Sequence, residues 1–120
     1  MEDKRLFEGE YRLMDLIWEQ EPIRSMDLVR LCLERLGWKK STCFTVLKKL
    51  AQRGFVKNEK AVVTALVKRE EVQKRESKAV VDKSFGGSLP AFVTAFLSDR
   101  RLTEEEAEKL RDMINKAVEG

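Results

Sequence analysis

Ser41, Thr45, Lys48 and Gln52 recur every three or four residues in the stretch WKKSTCFTVLKKLAQRG, Trp38 to Gly54. Wound at 3.6 residues per turn they share one face, with Thr42 and Lys49 on one shoulder and Phe44 on the other. Hydroxyls, amides and lysines at this spacing suit a helix laid in a DNA major groove. Lysine and glutamine reach base edges, threonine can set its methyl against thymine, and flanking lysines, Lys39 and Lys40 among them, hold phosphates. The plainer reading is a solvated face, as most charged helical faces are. The opposite side repeats Cys43, Val46, Leu47 and Leu50 at i, i+3, i+4, i+7, a core-facing stripe.

Charge favours the first reading. The chain of 120 residues carries a net charge of +3, but Trp38 to Lys60 holds seven bases against the single acid Glu59. That island is +6 and the remainder −3, the electrostatic footprint of a polyanion-binding surface. It fits a membrane surface less well, because no large apolar moment faces outward with it. No apolar run approaches the ~18 residues of a membrane span, and MEDKRLFEGE has no signal-like hydrophobic core, so the cytoplasm is expected.

Enzymatic chemistry finds little to work with. Histidine is absent, which removes the usual general base and most zinc sites. There is no glycine-rich phosphate loop and no nucleophile beside a base, so no catalytic residue, metal or cofactor is expected. Cys32 and Cys43 both fall at apolar helix positions, where free cysteine behaves as a small buried hydrophobe.

The elements that must position the polar face follow from periodicity and punctuation. Residues 8–20 read as a first helix with Leu13, Met14, Ile17 and Trp18 inward, stopped by Pro22. Ser25 suits the N-cap of a second helix, with Asp27 in its first turn, Leu28, Val29, Cys32 and Leu36 inward, and Gly37 closing it. The third helix follows and ends at Gly54. Phe55–Val56 and Ala61–Val67 are β-prone, joined near Asn58–Lys60. Three helices and such a hairpin make a winged helix-turn-helix, with Lys57 and Lys60 on the wing beside a duplex backbone.

Beyond Lys68 the chain turns helical and strongly charged up to Gly86–Gly87. A short helix then carries Leu89, Phe92, Val93, Phe96 and Leu97, with Pro90 in its first turn. Thr103 and Glu106 form a capping box for a last helix with Ala107, Leu110, Ile114, Ala117 and Val118 inward. Such short helices cannot bury this surface alone. They either fold back on the winged helix or meet a second copy, and a two-fold dimer is what a palindromic operator requires. The expected architecture is mostly α: a winged helix-turn-helix DNA-binding domain over residues 1–68 and a helical dimerisation region over 69–120. Leu89, Phe92, Val93, Phe96, Leu97, Leu110 and Ile114 would form the homodimer interface.

The ordered set EYRLMDLIW (Glu10 to Trp18), Gly37–Trp38, then Thr42, Thr45, Leu47, Leu50 and Gly54 resembles the BlaI/MecI penicillinase repressor family. LVKREE (Leu66 to Glu71), GGSLPAFVTAFL (Gly86 to Leu97) and LTEEEAEKLRDMI (Leu102 to Ile114) extend the likeness over nearly the whole chain. The resemblance implies a winged-helix transcriptional repressor, dimeric through its C-terminal helices, whose third helix enters the major groove of a dyad-symmetric operator. Thr42, Thr45, Lys48 and Lys49 are the positions that the resemblance points to for DNA contact. The family's resistance members are released when a membrane-bound sensor protease triggers a cut in the dimerisation helix. The matching bond here is Ala95–Phe96, a candidate regulatory cleavage site at which Ala95 replaces their asparagine, so cleavage is not assumed. Phe44 stands where the family often has a basic residue, the wing is about four residues shorter than usual for the family, and no cysteine follows Cys43 to suggest copper sensing.

Two functions follow. One is sequence-specific repression by a homodimer on double-stranded DNA, resting on the polar face Lys39, Lys40, Ser41, Thr42, Phe44, Thr45, Lys48 and Lys49 with Lys57 and Lys60. The other is a winged-helix protein-interaction module in which Trp38 and Phe44 dock another protein.

Overall fold

The computed structural model describes residues 5–120. In chain order the elements are α1 (Glu8–Gln20), β1 (Ile23–Arg24), α2 (Ser25–Leu36), α3 (Lys40–Gln52), β2 (Val56–Glu59), β3 (Val62–Ala65), α4 (Arg69–Phe85), α5 (Leu89–Leu97) and α6 (Glu104–Glu119). The chain falls into two compact units, the first ending at Ser77 and the second running Lys78–Gly120, so α4 passes from one into the other.

In the first unit three helices enclose one core. Leu13, Met14 and Ile17 of α1, Leu28 and Cys32 of α2, and Cys43, Leu47 and Leu50 of α3 are all buried. Phe55, Val56, Val63 and Val72 close it from the sheet and from the start of α4. Two glycines end the helices flanking the turn. Gly37 (φ 68°) lets its own N–H reach the Leu33 carbonyl and that of Trp38 reach the Cys32 carbonyl. Gly54 (φ 82°) does the same for α3, and the Phe55 N–H bonds the Leu50 carbonyl.

The sheet is antiparallel with order β1-β3-β2. The hairpin β2–β3 is the wing, and its turn lies at Lys60–Ala61, one step beyond the Asn58–Lys60 expected from sequence. Asn58 and Glu59 are still paired in β2, opposite Val63 and Val62. Both turn residues have positive φ, 52° and 61°, as two-residue hairpins of this twist require. β1 is an element the sequence did not announce: Ile23 pairs with Val63 and Arg24 with Val62. It also displaces the expected cap of α2. Arg24 holds the cap position without a side-chain bond, while Ser25 is buried in the first turn and its N–H bonds the Ala61 carbonyl.

A buried carboxylate ties the ends of α1 and α3 together. Glu10 accepts the Phe7 N–H at 3.0 Å, which caps α1, and also pairs with Arg53 at the end of α3. Toward the C-terminal end of α1, the Trp18 indole donates to the Val67 carbonyl at 2.9 Å. The Arg69 guanidinium lies 5.3 Å from that ring's centroid and fixes the start of α4.

In the second unit Ser88 caps α5 by accepting the Ala91 N–H at 3.1 Å, and Thr103 and Glu106 form the expected capping box of α6. Phe92 packs edge-on against Phe85, with centroids 5.5 Å apart. Neither α5 nor α6 buries a single residue.

Candidate nucleic-acid interface

The stripe of α3 decides which side chains are free. Cys43, Leu47 and Leu50 are buried and Val46 packs on the core, so the remaining faces point away from it. Lys39, Lys40, Ser41, Thr42, Thr45, Lys48, Lys49 and Gln52 are all exposed. The structure thus leaves this polar set exposed along α3 and at its N-cap.

Within that surface some groups are committed. The Thr45 hydroxyl donates to the Ser41 carbonyl at 2.8 Å, so toward a base Thr45 offers its methyl and an acceptor lone pair. Phe44 is half-buried against the core with the Lys40 ammonium 6.0 Å from its ring centroid. Trp38, also half-buried, packs on the same core and lies over Gly9, where a Cβ would sit 3.7 Å from the indole. Neither aromatic stands out as an apolar knob.

The wing is less plainly basic than the sequence suggests. Lys57 is exposed but its ammonium lies 2.6 Å from a Glu59 carboxylate oxygen. That hydrogen bond, with the charge behind it, holds Glu59 below the usual carboxylate range. Lys60 sits at the tip of the turn.

The expected interface residues of the second unit are open. Leu89 is 59 %, Val93 41 %, Phe96 50 %, Leu110 43 % and Ile114 60 % exposed, while Phe92 and Leu97 are half-buried. Met113 and Val118, at 62 % and 82 %, extend the apolar face of α6. Met113 was not singled out in the sequence, although it falls three residues after Leu110. The Arg100 guanidinium lies 5.0 Å from the Phe96 ring centroid. The Ala95–Phe96 bond lies inside α5, where the Ala95 carbonyl accepts from Ser98.

Residues 7–116 match the sequence model of the family described as penicillinase repressor. The chain belongs to that family. Similar proteins include the methicillin resistance regulatory protein MecI of Staphylococcus aureus strain N315 and that of Mammaliicoccus sciuri. Each is 23 % identical over 112 residues, covering 90 % of this chain and 91 % of the relative. The penicillinase repressor of Bacillus licheniformis is 21 % identical over 114 residues, 92 % of this chain and 89 % of its own. A role in transcriptional repression goes with membership, and the winged helix described above is the fold expected of a penicillinase repressor. Among the described residues no helix is long and apolar enough to cross a membrane.

Proposed function

We propose that the chain is a sequence-specific repressor that binds a dyad-symmetric DNA operator as a homodimer. In this reading α3 of each copy lies in the major groove, with Thr42, Thr45, Lys48 and Gln52 toward base edges. Lys39, Lys40 and Lys49 lie toward phosphates. The observation that carries it is the division of α3 itself: one face buried in the core, the other a continuous exposed row of lysine, threonine and glutamine. The apolar faces of α5 and α6 bear on the second requirement, since two helices with no fully buried residue gain most by meeting their own copies.

The alternative, a winged helix that docks another protein through Trp38 and Phe44, loses its anchors, because both rings pack on the core. Cleavage at Ala95–Phe96 would first require α5 to unwind, because proteases act on extended chain at exposed, locally open sites.

The test joins sedimentation of the full chain to fluorescence anisotropy with a duplex from its own promoter. A dimer is expected, with affinity that falls steeply as salt rises. A monomer at concentrations that saturate the duplex, or binding indifferent to salt, overturns the reading.

A further inference from the structure

Cys32 and Cys43 were expected as buried core thiols; the fold also puts them in contact. Cys32 stands in the last turn of α2 and Cys43 in the first turn of α3, and their sulfurs are 3.2 Å apart. Both are free and wholly buried. A pair of small apolar side chains would fill this space equally well. What the cysteines add is chemistry, and it is placed at the joint that sets the recognition helix on its scaffold.

We propose that Cys32 and Cys43 are an oxidisable dithiol, that small hydroperoxides convert it to a disulfide, and that the cross-linked form holds its operator less tightly. The last clause rests on the DNA-binding function proposed above. Cys32 is the donor of the S–H···S contact. Giving up that hydrogen bond, together with burial, pushes the Cys32 thiol up, and receiving it pulls Cys43 down. In the proposed reaction Cys43, the acceptor of the contact, attacks and Cys32 resolves.

The Cys43 thiolate attacks one oxygen of the hydroperoxide and the O–O bond breaks. The other oxygen leaves with a proton as alcohol, or as water from hydrogen peroxide, and Cys43 becomes a sulfenic acid. The Cys32 sulfur then attacks the Cys43 sulfur, the S–O bond breaks, and water leaves with the Cys32 proton. Two thiols have lost two electrons and the peroxide has gained them. A two-electron dithiol reductant reverses the bond.

Burial selects the oxidant. Hydrogen peroxide is small and neutral enough to reach the pair when the α2–α3 joint opens locally, whereas glutathione disulfide is bulky and charged. Closing the sulfurs from 3.2 Å to the ~2.05 Å of a disulfide draws the first turn of α3 toward α2 by about 1 Å. Ser41, Thr42 and Thr45 move with it. Base contacts tolerate roughly half an ångström of misplacement, so operator affinity should fall about tenfold.

The reduced full chain is treated with hydrogen peroxide or with glutathione disulfide. It is then denatured, alkylated and weighed intact, and the native samples are titrated against the promoter duplex. Peroxide should remove the mass of two hydrogens and block both thiols from alkylation, with dithiothreitol restoring them. Oxidation of methionine adds oxygen and is thereby distinguished. Duplex affinity should drop about tenfold and recover on reduction. Cys32→Ala and Cys43→Ala should form no intramolecular bond and keep their affinity through peroxide. Thiols still open to alkylation after peroxide overturn the proposal. So does a sulfinic acid on Cys43 beside a free Cys32, and so does a cross-linked chain that binds as tightly as the reduced one. If the reduced chain binds no duplex, it is the DNA-binding function that has failed, and the mass measurement still decides the dithiol.

Discussion

Lys39 and Lys57 are both exposed bases of the basic island, yet the structure gives them different standing toward a polyanion. Lys39 begins α3 with its side chain in solvent; Lys57 already holds Glu59 at 2.6 Å. If Lys39, Lys40 and Lys49 each neutralise one phosphate, a dimer engages about six. The log–log salt slope is then about −5.4, and affinity falls roughly 2,000-fold between about 50 and about 200 mM salt. Lys39→Ala removes two of the six, so the slope relaxes to about −3.6 and the same salt step costs roughly 150-fold. Lys57→Ala removes a base already engaged by Glu59 and not one of the six phosphate contacts, so its slope should lie much nearer the wild type. Anisotropy titrations of the promoter duplex across several salt concentrations measure all three. Thr45→Ala is the control for base reading: it should leave the slope alone and cost about 1–3 kcal/mol on the cognate sequence only. A slope unaltered by Lys39→Ala, or one relaxed equally by Lys57→Ala, would refute the assignment of phosphate contacts to the start of α3.

Phe96→Asp puts a charge in the middle of the open face of α5 and should yield a monomer while the first unit keeps its own thermal transition. Sedimentation as a dimer would place the interface elsewhere. Glu10→Ala strips the Phe7 N–H of its acceptor and Arg53 of its carboxylate, and should cost about 2–3 kcal/mol in urea denaturation, since Glu10 is buried and Arg53 partly so. A loss below about 0.5 kcal/mol, the usual size of surface substitutions, would mean the pair is ornamental. Lys60→Asn with Ala61→Gly relieves two side chains held at positive φ, each at about 1–2 kcal/mol when left-handed. The melting temperature should rise by several degrees, about 4–8 °C per kcal/mol in a domain of this size, and no rise would mean the turn is unstrained.

What could be read from sequence was what local chemistry decides. The limits of α1, the end of α2, the end of α3 and the starts of α5 and α6 follow from apolar period, Pro22, Gly37, Gly54, Pro90 and the Thr103–Glu106 box, and each stands where those signals put it. The outward set on α3 follows from the same period, because fixing Cys43, Leu47 and Leu50 inward leaves Ser41, Thr45 and Lys48 no other side. What escaped was non-local. β1 exists only because β3 lies beside it, and two residues carry no period. Ser25 has the chemistry of a cap, but the strand ahead of it draws its N–H to Ala61. Glu10 and Arg53 are 43 residues apart, and no spacing rule links a carboxylate at one helix start to a guanidinium at another helix end. The Lys57–Glu59 pair was legible as i, i+2 on one strand face, where alternate side chains share a side. Net charge alone does not reveal it, because the pair sums to zero within the island.

The two helices that begin most differently bear on the role proposed for the first turn of α3. α6 opens with Thr103, a reciprocal Glu106 and the run Glu104–Glu105–Glu106, which satisfy its free N–H groups and suit the positive end of the helix dipole. α3 opens with Lys39 as N-cap, no side-chain cap and no acid in its first turn. A missing serine or aspartate cap forgoes about 1 kcal/mol, and a lysine at the positive end of a helix costs a few tenths more. The same chain commands good caps, so composition does not explain the omission. Free N–H groups and lysines at a helix start are complementary to phosphate, and a capping carboxylate would occupy the one and repel the other. Lys39→Ser should therefore raise unfolding free energy by about 1 kcal/mol while weakening duplex binding. The opposite signs are the point: a residue present only to hold the fold would lose stability and binding together, and that result would remove Lys39 from the interface.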